Sequence, residues 1–145
     1  MLEILQYPNT ALREKAKPIT SFDEKLSNLS NEMMYTMIVN KGIGLAGNQV
    51  GVLERIIVLV CPEFVGAMIN PEILSYSEKQ QTKREGCLSF KDQFLQIKRP
   101  YSIKIKYQDL LGAFHEQEFT GITARCIQHE VNHLDGIVFK DLLKE

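Results

Sequence analysis

The sequence predicts an α+β fold, in which mostly antiparallel sheets pack around a C-terminal helix bearing the pattern His-Glu-x-x-His, with another helix near the N-terminus. Two observations predict it. The segments with strand character lie between the two helices instead of alternating with them. Two of those segments flank a short turn, as antiparallel partners do. We expect the 145 residues to form one domain, 1–145.

The N-terminal part is predicted to be helical. A short helix is expected over 11–17, ended by Pro18. A longer helix is expected to begin at Ser21, because Ser21 and Glu24 have the spacing of a capping box, and to end at Gly42. Its apolar residues recur at helical spacing and are expected to face the core: Leu26, Leu29, Met33, Met37 and Ile38.

The middle of the chain is predicted to be mostly extended. After a glycine-rich connection, the apolar run over 55–60 indicates a strand buried on both faces. Residues 102–108 alternate between apolar and polar side chains, and 113–119 is expected to return as the antiparallel partner. Weaker patterns predict extended segments over 67–70, 71–74 and 94–97, and an exposed link or hairpin over 76–84.

The C-terminal helix is expected to run from Gly121 to about Leu134, capped by Thr120. His129 and His133 are four residues apart, so on a helix they share a face and could bind one metal ion. Glu130 flanks that face, where a general base beside a metal-bound water would lie. The alternative is an ordinary helix carrying two histidines and a solvated glutamate, and the five-residue pattern favours the metal.

A catalytic site of this kind needs a third protein ligand. A common downstream spacing requires histidine at position 139, which is Phe139, so the ligand is expected upstream. Cys126 lies seven residues from His133, about 10.5 Å along a helix, too far for both to share an ion comfortably. Cys61 is expected in the core and His115 on the surface. Cys87, after a glycine, is therefore the best candidate.

Composition restricts the partners and the compartment. The net charge of −1 gives no basic field for nucleic acid or an anionic membrane, so neither is expected as a partner. No segment approaches the roughly 20 apolar residues of a membrane helix. The three cysteines are an odd number, and the N-terminus lacks a secretory pattern. We therefore expect a cytoplasmic protein with free or metal-bound thiols.

Three ordered stretches resemble the motifs of the peptide deformylase family. They are GIGLAGNQ over 42–49, EGCLS over 85–89 and QHEVNH over 128–133, and the similarity covers nearly the whole chain. The resemblance implies an enzyme that hydrolytically removes the formyl group from the N-terminal N-formylmethionine of new polypeptides and releases formate. The alternatives are a related metal-dependent hydrolase of another N-acyl substrate, or a non-catalytic metal-binding module.

The resemblance also implies roles for individual residues. Cys87, His129 and His133 would bind one divalent metal, Fe(II) in the family, with Zn(II), Ni(II) or Co(II) also compatible with these ligands. A metal-bound water would attack the formyl group with Glu130 as general base. The oxyanion would be stabilised by the Leu88 backbone N–H and the Gln49 side-chain amide.

Substrate-binding candidates come from the motifs and from the helix. Ile122, Arg125 and Cys126 lie on the same side of the helix as His129. Arg125 is expected to place its aliphatic stem in the pocket and its charged head in water. The alternatives are core packing for Ile122 and an ordinary surface position for Arg99, which matches a family position that contacts the substrate backbone. The complete set is Ile43, Gly44, Glu85, Gly86, Arg99, Ile122, Arg125 and Cys126.

The chain also departs from the family pattern. Asn132 stands where aspartate is usual and is expected to keep a hydrogen bond near the ligands while removing a charge. Gly47 and Asn48 are unusual in the first motif, and no proline or glycine follows Ser89. The expected partners are N-formylmethionyl nascent peptides. The ribosome is a further candidate, although the few residues after Gly136 leave no long C-terminal docking helix.

Overall fold

The computed structural model describes residues 1–143, which contain two α-helices and seven strands. The helices are α1 (Glu24–Val39) and α2 (Gly121–Leu134). Short 3₁₀ turns cover Thr10–Arg13, Gly47–Val50 and Phe139–Leu143. The strands are β1 (Gly44–Ala46), β2 (Ile56–Cys61), β3 (Phe64–Tyr76), β4 (Gln80–Cys87), β5 (Phe90–Pro100), β6 (Ser102–Gln108) and β7 (Phe114–Thr120).

The strands form two antiparallel sheets. Five of them pair in the order β1-β2-β3-β6-β7, while β4 and β5 form a separate hairpin. The predicted α+β class, with antiparallel sheets around the C-terminal helix, is therefore confirmed.

The apolar run in β2 follows from its position between the two helices. Ile57 and Leu59 belong to the same buried cluster as Ile127 of α2. Ile56 and Val58 belong to the cluster that contains the methionine stripe of α1. Because successive side chains of a strand point to opposite faces, a strand covered on both faces needs apolar residues at every position. This arrangement places α2 directly against the sheet.

The N-terminal helices differ from their predicted bounds. The first is only a 3₁₀ turn over Thr10–Arg13. Asp23 caps α1, because its side chain accepts a hydrogen bond from the Leu26 N–H, so the predicted Ser21 cap is wrong. The helix also ends at Val39, three residues before Gly42.

The strand predictions were best where one face is buried. The bounds predicted for β6 are confirmed, with Ile103, Ile105 and Tyr107 buried. The exposed link predicted over 76–84 is partly wrong, because residues from Gln80 onward belong to β4 and pair with β5. Most of β4 is exposed, so its polar sequence carries no periodic apolar signal.

The bounds predicted for α2 are confirmed, but the predicted cap is wrong. Thr120 occupies the N-cap position without a side-chain capping bond. Its hydroxyl instead donates to Glu63 Oε2 at 2.8 Å, and its N–H donates to Glu63 Oε1 at 2.9 Å. These bonds tie the start of α2 to the β2–β3 turn.

The N-terminal segment holds two of the predicted motifs together. The Leu5 N–H donates to the Gln49 carbonyl at 2.7 Å, and the Tyr7 N–H donates to the Ser89 carbonyl at 2.9 Å. Between them, the Gln6 amide donates to the Leu88 carbonyl at 2.9 Å. Residues 5–7 therefore fix the loop after β1 relative to the β4–β5 turn.

Candidate metal centre

The structure brings together the three residues predicted as metal ligands. One ligand atom each from Cys87, His129 and His133 lies within 4.8 Å of the other two. Cys87 Sγ is 3.4 Å from His133 Nε2. Cys87 ends β4, whereas the histidines lie one turn apart on α2, so the third candidate ligand does come from upstream. A thiolate and two imidazoles at this separation suit a single divalent ion.

The other candidates for the third ligand lie elsewhere. His115 is at the surface, with Nε2 2.8 Å from Asp109 Oδ2. Cys61 is buried in the core, as predicted. Phe139 packs edge-on against the His129 ring, with 5.5 Å between the ring centroids. Position 139 therefore contributes an apolar wall beside the cluster.

Glu85 orients the first histidine. Its Oε1 is 2.8 Å from His129 Nδ1, which leaves Nε2 as the ring nitrogen available to a metal. Burial alone would raise the pKa of the Glu85 carboxyl, but hydrogen bonds from His129 and Arg99 outweigh it and lower the pKa to about 2. Glu85 is therefore a permanent anion beside the ligand.

Two buried arginines hold Glu85 in place. Arg99 Nε and Arg125 Nη1 each lie 2.6 Å from Glu85 Oε2. Arg125 also donates to the carbonyl of Ile97 at 2.8 Å and to the carbonyl of Gln81. The carboxylate of β4 is thereby tied both to β5 and to α2.

These contacts correct two substrate-site predictions. The Arg125 head is buried in hydrogen bonds to the protein, so the prediction that it stays in water is wrong. Arg99 is also buried, and the described residues that line the cavity over the cluster do not include it. Its guanidinium binds Glu85 and, at 2.9 Å, Asn132 Oδ1. The hydrogen bond expected of Asn132 is thus present, with Arg99 as its donor.

The environment of Glu130 contrasts with that of Glu85. It is 4% exposed, and its Oε1 has no hydrogen-bond partner among residues 1–143. Burial is the main reason that its pKa is raised to about 7. A Cβ atom added to Gly44 would lie 2.6 Å from both Glu130 Oε2 and Cys126 Sγ. The glycine in β1 is therefore what leaves room for the carboxylate.

The two histidines also differ. Burial would lower the pKa of His129, but hydrogen bonds to Cys87 and Glu85 outweigh it and raise the pKa to about 10. For His133, burial and the nearby positive charges of His129 and Arg99 lower the pKa. His133 Nδ1 is buried without a partner in the described part of the chain. His133 is thus a neutral imidazole whose Nε2 faces the Cys87 sulfur.

Gln49 lies beside the cluster, as predicted. Its Oε1 accepts from the Ala46 N–H at 2.9 Å, which directs the NH₂ group towards Ser89 Oγ at 3.1 Å and Cys87 Sγ at 3.6 Å. Ser89 was not predicted as a site residue, although it belongs to the EGCLS stretch and is 1% exposed. Its position in the EGCLS stretch was the sequence feature that could have identified Ser89 as a site residue.

A cavity of about 780 Å³ opens from the cluster to the surface. Ile122 lines it and is 54% exposed, so the core-packing alternative for Ile122 is wrong. Sequence reasoning missed lining residues from the N-terminal segment and β5, such as Ile4 and Phe94, because their pattern carries no sign of a pocket. The cavity is lined by all the predicted substrate residues except Arg99: Ile43, Gly44, Glu85, Gly86, Ile122, Arg125 and Cys126.

Comparison with known proteins gives one consistent family. The sequence profile of the family described as "Polypeptide deformylase" matches residues 1–145. A peptide deformylase of Zymomonas mobilis is 43% identical over 152 aligned positions, which span 99% of this chain and 86% of the relative. The crystal structure of the Thermotoga maritima peptide deformylase superposes with a TM-score of 0.97 at 40% identity, covering 100% of this chain and 99% of the other. A Met-Ala-Ser-bound Acinetobacter baumannii peptide deformylase has a TM-score of 0.93 at 33% identity, with 98% of each chain covered.

Proposed function

The chain belongs to the polypeptide deformylase family, and we propose that the buried cluster between β4 and α2 is where it removes the formyl group from N-formylated nascent peptides. The observation that carries this proposal is the juxtaposition of Cys87, His129 and His133 with the partnerless carboxylate oxygen of Glu130. These are a ligand set that includes two histidines of α2 and a proton carrier that flanks them on the same helix.

We propose that Cys87, His129 and His133 hold one divalent ion. The fit is supported by their ligand atoms within 4.8 Å of one another and by the bond from His129 Nδ1 to Glu85, which leaves Nε2 available. When bound, the ion supplies a Lewis acid that polarises the formyl oxygen and lowers the pKa of water. We propose Fe(II) as the native ion, with Zn(II), Ni(II) and Co(II) compatible with the same ligands.

Glu130 is the proton carrier. As a carboxylate it accepts a proton from the attacking water, whose oxygen forms the new bond to the formyl carbon. It then donates that proton to the amine as the carbon–nitrogen bond breaks, leaving formate and a free N-terminus. A pKa of about 7 suits both steps near neutral pH. The burial that raises this pKa also keeps bulk water from competing for the proton.

The oxyanion requires donors directed at the formyl oxygen. The Gln49 NH₂ group is held next to Cys87 by the bond from the Ala46 N–H to Gln49 Oε1. We propose that, when substrate binds, one N–H of the Gln49 amide turns from Ser89 or Cys87 to the formyl oxygen. The Leu88 backbone N–H is the second proposed donor, in a segment fixed by the bond from Gln6 to the Leu88 carbonyl.

The substrate side chain is assigned to the apolar part of the cavity. Ile43, Ile122 and Cys126 line it, and they suit the unbranched, polarisable side chain of methionine. The related Acinetobacter enzyme was solved with Met-Ala-Ser bound, which is the product expected from formyl-Met-Ala-Ser. The cavity of about 780 Å³ has room for residues beyond the first, so we propose peptides of at least three residues as substrates.

We propose that the enzyme meets its substrates in the cytoplasm, close to the ribosome, where new chains begin with the formylated residue. No helix within residues 1–143 is long and apolar enough to cross a membrane. Association with the ribosome stays a prediction.

The decisive experiment measures formate release from formyl-Met-Ala-Ser by protein loaded anaerobically with Fe(II). Glu130→Ala should lower kcat by about 10²- to 10⁴-fold with the metal retained. Cys87→Ala should lose the metal as well. His115→Ala is the matched control, since this surface histidine lies outside the cluster and should change neither quantity.

Two results would overturn the assignment. Formate release no higher than that of Glu130→Ala would exclude deformylation at this site. Full metal content in Cys87→Ala would place the third ligand elsewhere. Acetyl-Met-Ala-Ser in parallel separates a deformylase, which should strongly prefer the formyl group, from a hydrolase of other N-acyl peptides.

A further inference from the structure

Two cysteines that the hydrolytic reaction does not use lie together behind β1. Cys61 ends β2, Cys126 lies in the first half of α2, and both are buried free thiols. They belong to the same packed cluster of buried side chains, and both sulfurs lie next to the same backbone carbonyl. The chain thus holds a thiol pair separate from the candidate ligand Cys87.

The two thiols share one weak acceptor. Cys61 Sγ and Cys126 Sγ lie 3.8 and 3.6 Å from the Ile43 carbonyl oxygen. The same oxygen accepts the Val60 N–H at 2.9 Å. A carbonyl has two lone pairs, so three donors compete for them, and the backbone N–H has the shortest bond. Neither sulfur is therefore held away from the other by a strong partner.

We propose that Cys61 and Cys126 form an oxidative modification site, in which a peroxide converts the pair to an intramolecular disulfide between β2 and α2. The Cys61 sulfur attacks one peroxide oxygen, the O–O bond breaks, and a sulfenic acid and water form. The Cys126 sulfur then attacks the sulfenic sulfur, the S–S bond forms and the S–O bond breaks. The thiol proton leaves with the departing hydroxide as a second water, so two thiols are oxidised while one peroxide is reduced.

The surroundings of the pair support this order. The neighbouring Cys126 thiol lowers the pKa of Cys61 against the effect of burial, and thiolates are the reactive form. The Cys61 thiol, followed by burial, raises the pKa of Cys126, which therefore remains the protonated resolving thiol. Cys126 lines the cavity, so a small oxidant can reach the pair from that side, and the lowered pKa of Cys61 decides which sulfur reacts first. Disulfide formation would withdraw both S–H donors from Ile43 at the wall of the substrate cavity.

The test uses the intact zinc-loaded protein, in which Cys87 is a metal ligand and zinc itself undergoes no redox chemistry. The protein is treated with an equimolar amount of hydrogen peroxide, alkylated and digested without reduction. Trypsin separates the three cysteines into peptides 56–79, 85–91 and 126–140. Mass spectrometry should find 56–79 joined to 126–140 with the loss of two hydrogen atoms, and dithiothreitol should release the two peptides.

Matched variants test which two cysteines form the disulfide. Cys61→Ser keeps a hydroxyl donor for Ile43 and should abolish the crosslinked peptide, and Cys126→Ser should do the same. Circular dichroism confirms that each variant is folded, and the wild-type peptide map is decisive without them. The proposal is overturned if peptides 56–79 and 126–140 are recovered fully alkylated after peroxide treatment, or if the crosslink involves peptide 85–91 instead. None of these readouts depends on deformylation.

Discussion

The site contains two buried carboxylates on different sides of α2, and their surroundings contrast. On one side, here called the ion-pair side, Glu85 binds Arg99, Arg125 and His129. On the other, here called the β1 side, Glu130 packs against Gly44, with an oxygen that has no partner in the described chain. Both carboxylates are less than 10% exposed.

The comparison shows that partners, rather than burial, decide what a carboxylate can do. Burial favours the neutral acid in both cases, but only Glu85 has cations and hydrogen-bond donors that outweigh it. Its pKa is about 2, while that of Glu130 is about 7. Glu85 is consequently fixed as an anion that orients a ligand, whereas Glu130 can exchange a proton.

The largest effect is expected from Glu85→Gln on the ion-pair side. The variant keeps the shape of the side chain but leaves two buried guanidinium groups without their anion. We expect the free energy of unfolding to fall by about 3–5 kcal/mol. The loss of His129 orientation should weaken metal binding by about 10- to 100-fold. Urea unfolding and chelator competition measure the two effects.

The matched control for that variant is Glu116→Gln. Glu116 also pairs with a cation, Lys104, at 3.7 Å, but both side chains are about half exposed. Such a pair contributes at most about 1 kcal/mol, and the metal should be unaffected. Equal destabilisation by the two variants would show that the buried ion-pair cluster has no special role.

The loss of stability at acidic pH should also depend on the ion-pair side. Because folding lowers the pKa of Glu85 from 4.5 to about 2, its stabilisation is complete above pH 4.5 and is lost as the pH falls towards 2. The stability difference between wild type and Glu85→Gln should therefore shrink by about 3 kcal/mol across that window. Urea unfolding of the metal-free proteins at several pH values measures it. A difference that stays constant down to pH 2 would contradict the lowered pKa.

On the β1 side, the free energy of unfolding should depend on pH in the opposite direction. Folding raises the pKa of Glu130 from 4.5 to about 7, so this carboxyl destabilises the metal-free fold as the pH rises through that range. Glu130→Gln should therefore increase the free energy of unfolding at pH 8 by about 1–2 kcal/mol, because the unpaired amide cancels part of the gain.

The same Glu130→Gln protein at pH 4.5 is its own control, since the wild-type carboxyl is then mostly protonated and the gain should disappear. Loss of stability at pH 8 would mean that Glu130 has a stabilising partner in the folded protein. A gain of equal size at both pH values would mean that it arises from packing.

Sequence reasoning identified the residues of the His-Glu-x-x-His pattern better than the arginines of the ion-pair side. His129, Glu130 and His133 follow one another at helical spacing, so a local pattern was enough to place them together. The ion-pair side joins Glu85 to Arg99 and Arg125, 14 and 40 residues away along the chain. No periodicity links such residues, and an isolated arginine is usually exposed. Both arginines were therefore assigned to substrate or water.

The absence of a local sequence signal for contacts between distant residues also explains which fold predictions failed. β6 has one buried face and a repeating apolar pattern, so its bounds could be predicted. β4 is mostly exposed and is held by pairing with β5, which the sequence of β4 alone does not encode. The caps were missed because Ser21 and Asp23 are both good candidates, and only the structure shows which one accepts the Leu26 N–H.

The smallest effect is expected from Asn132→Asp, which adds a charge to the ion-pair side. Glu85 supplies one negative charge against the two positive charges of Arg99 and Arg125, so an aspartate would supply a second anion for these two arginines. The 2.9 Å bond from Arg99 to position 132 would become an ion pair, and charged hydrogen bonds are roughly twice as strong as neutral ones. We expect a gain of about 1 kcal/mol in urea unfolding and a change of less than about tenfold in formate release, because neither the ligands nor Glu130 is altered. A thousandfold change in turnover would show instead that the charge at position 132 acts on the reaction through Arg99 and Glu85, and that the two sides of α2 are coupled.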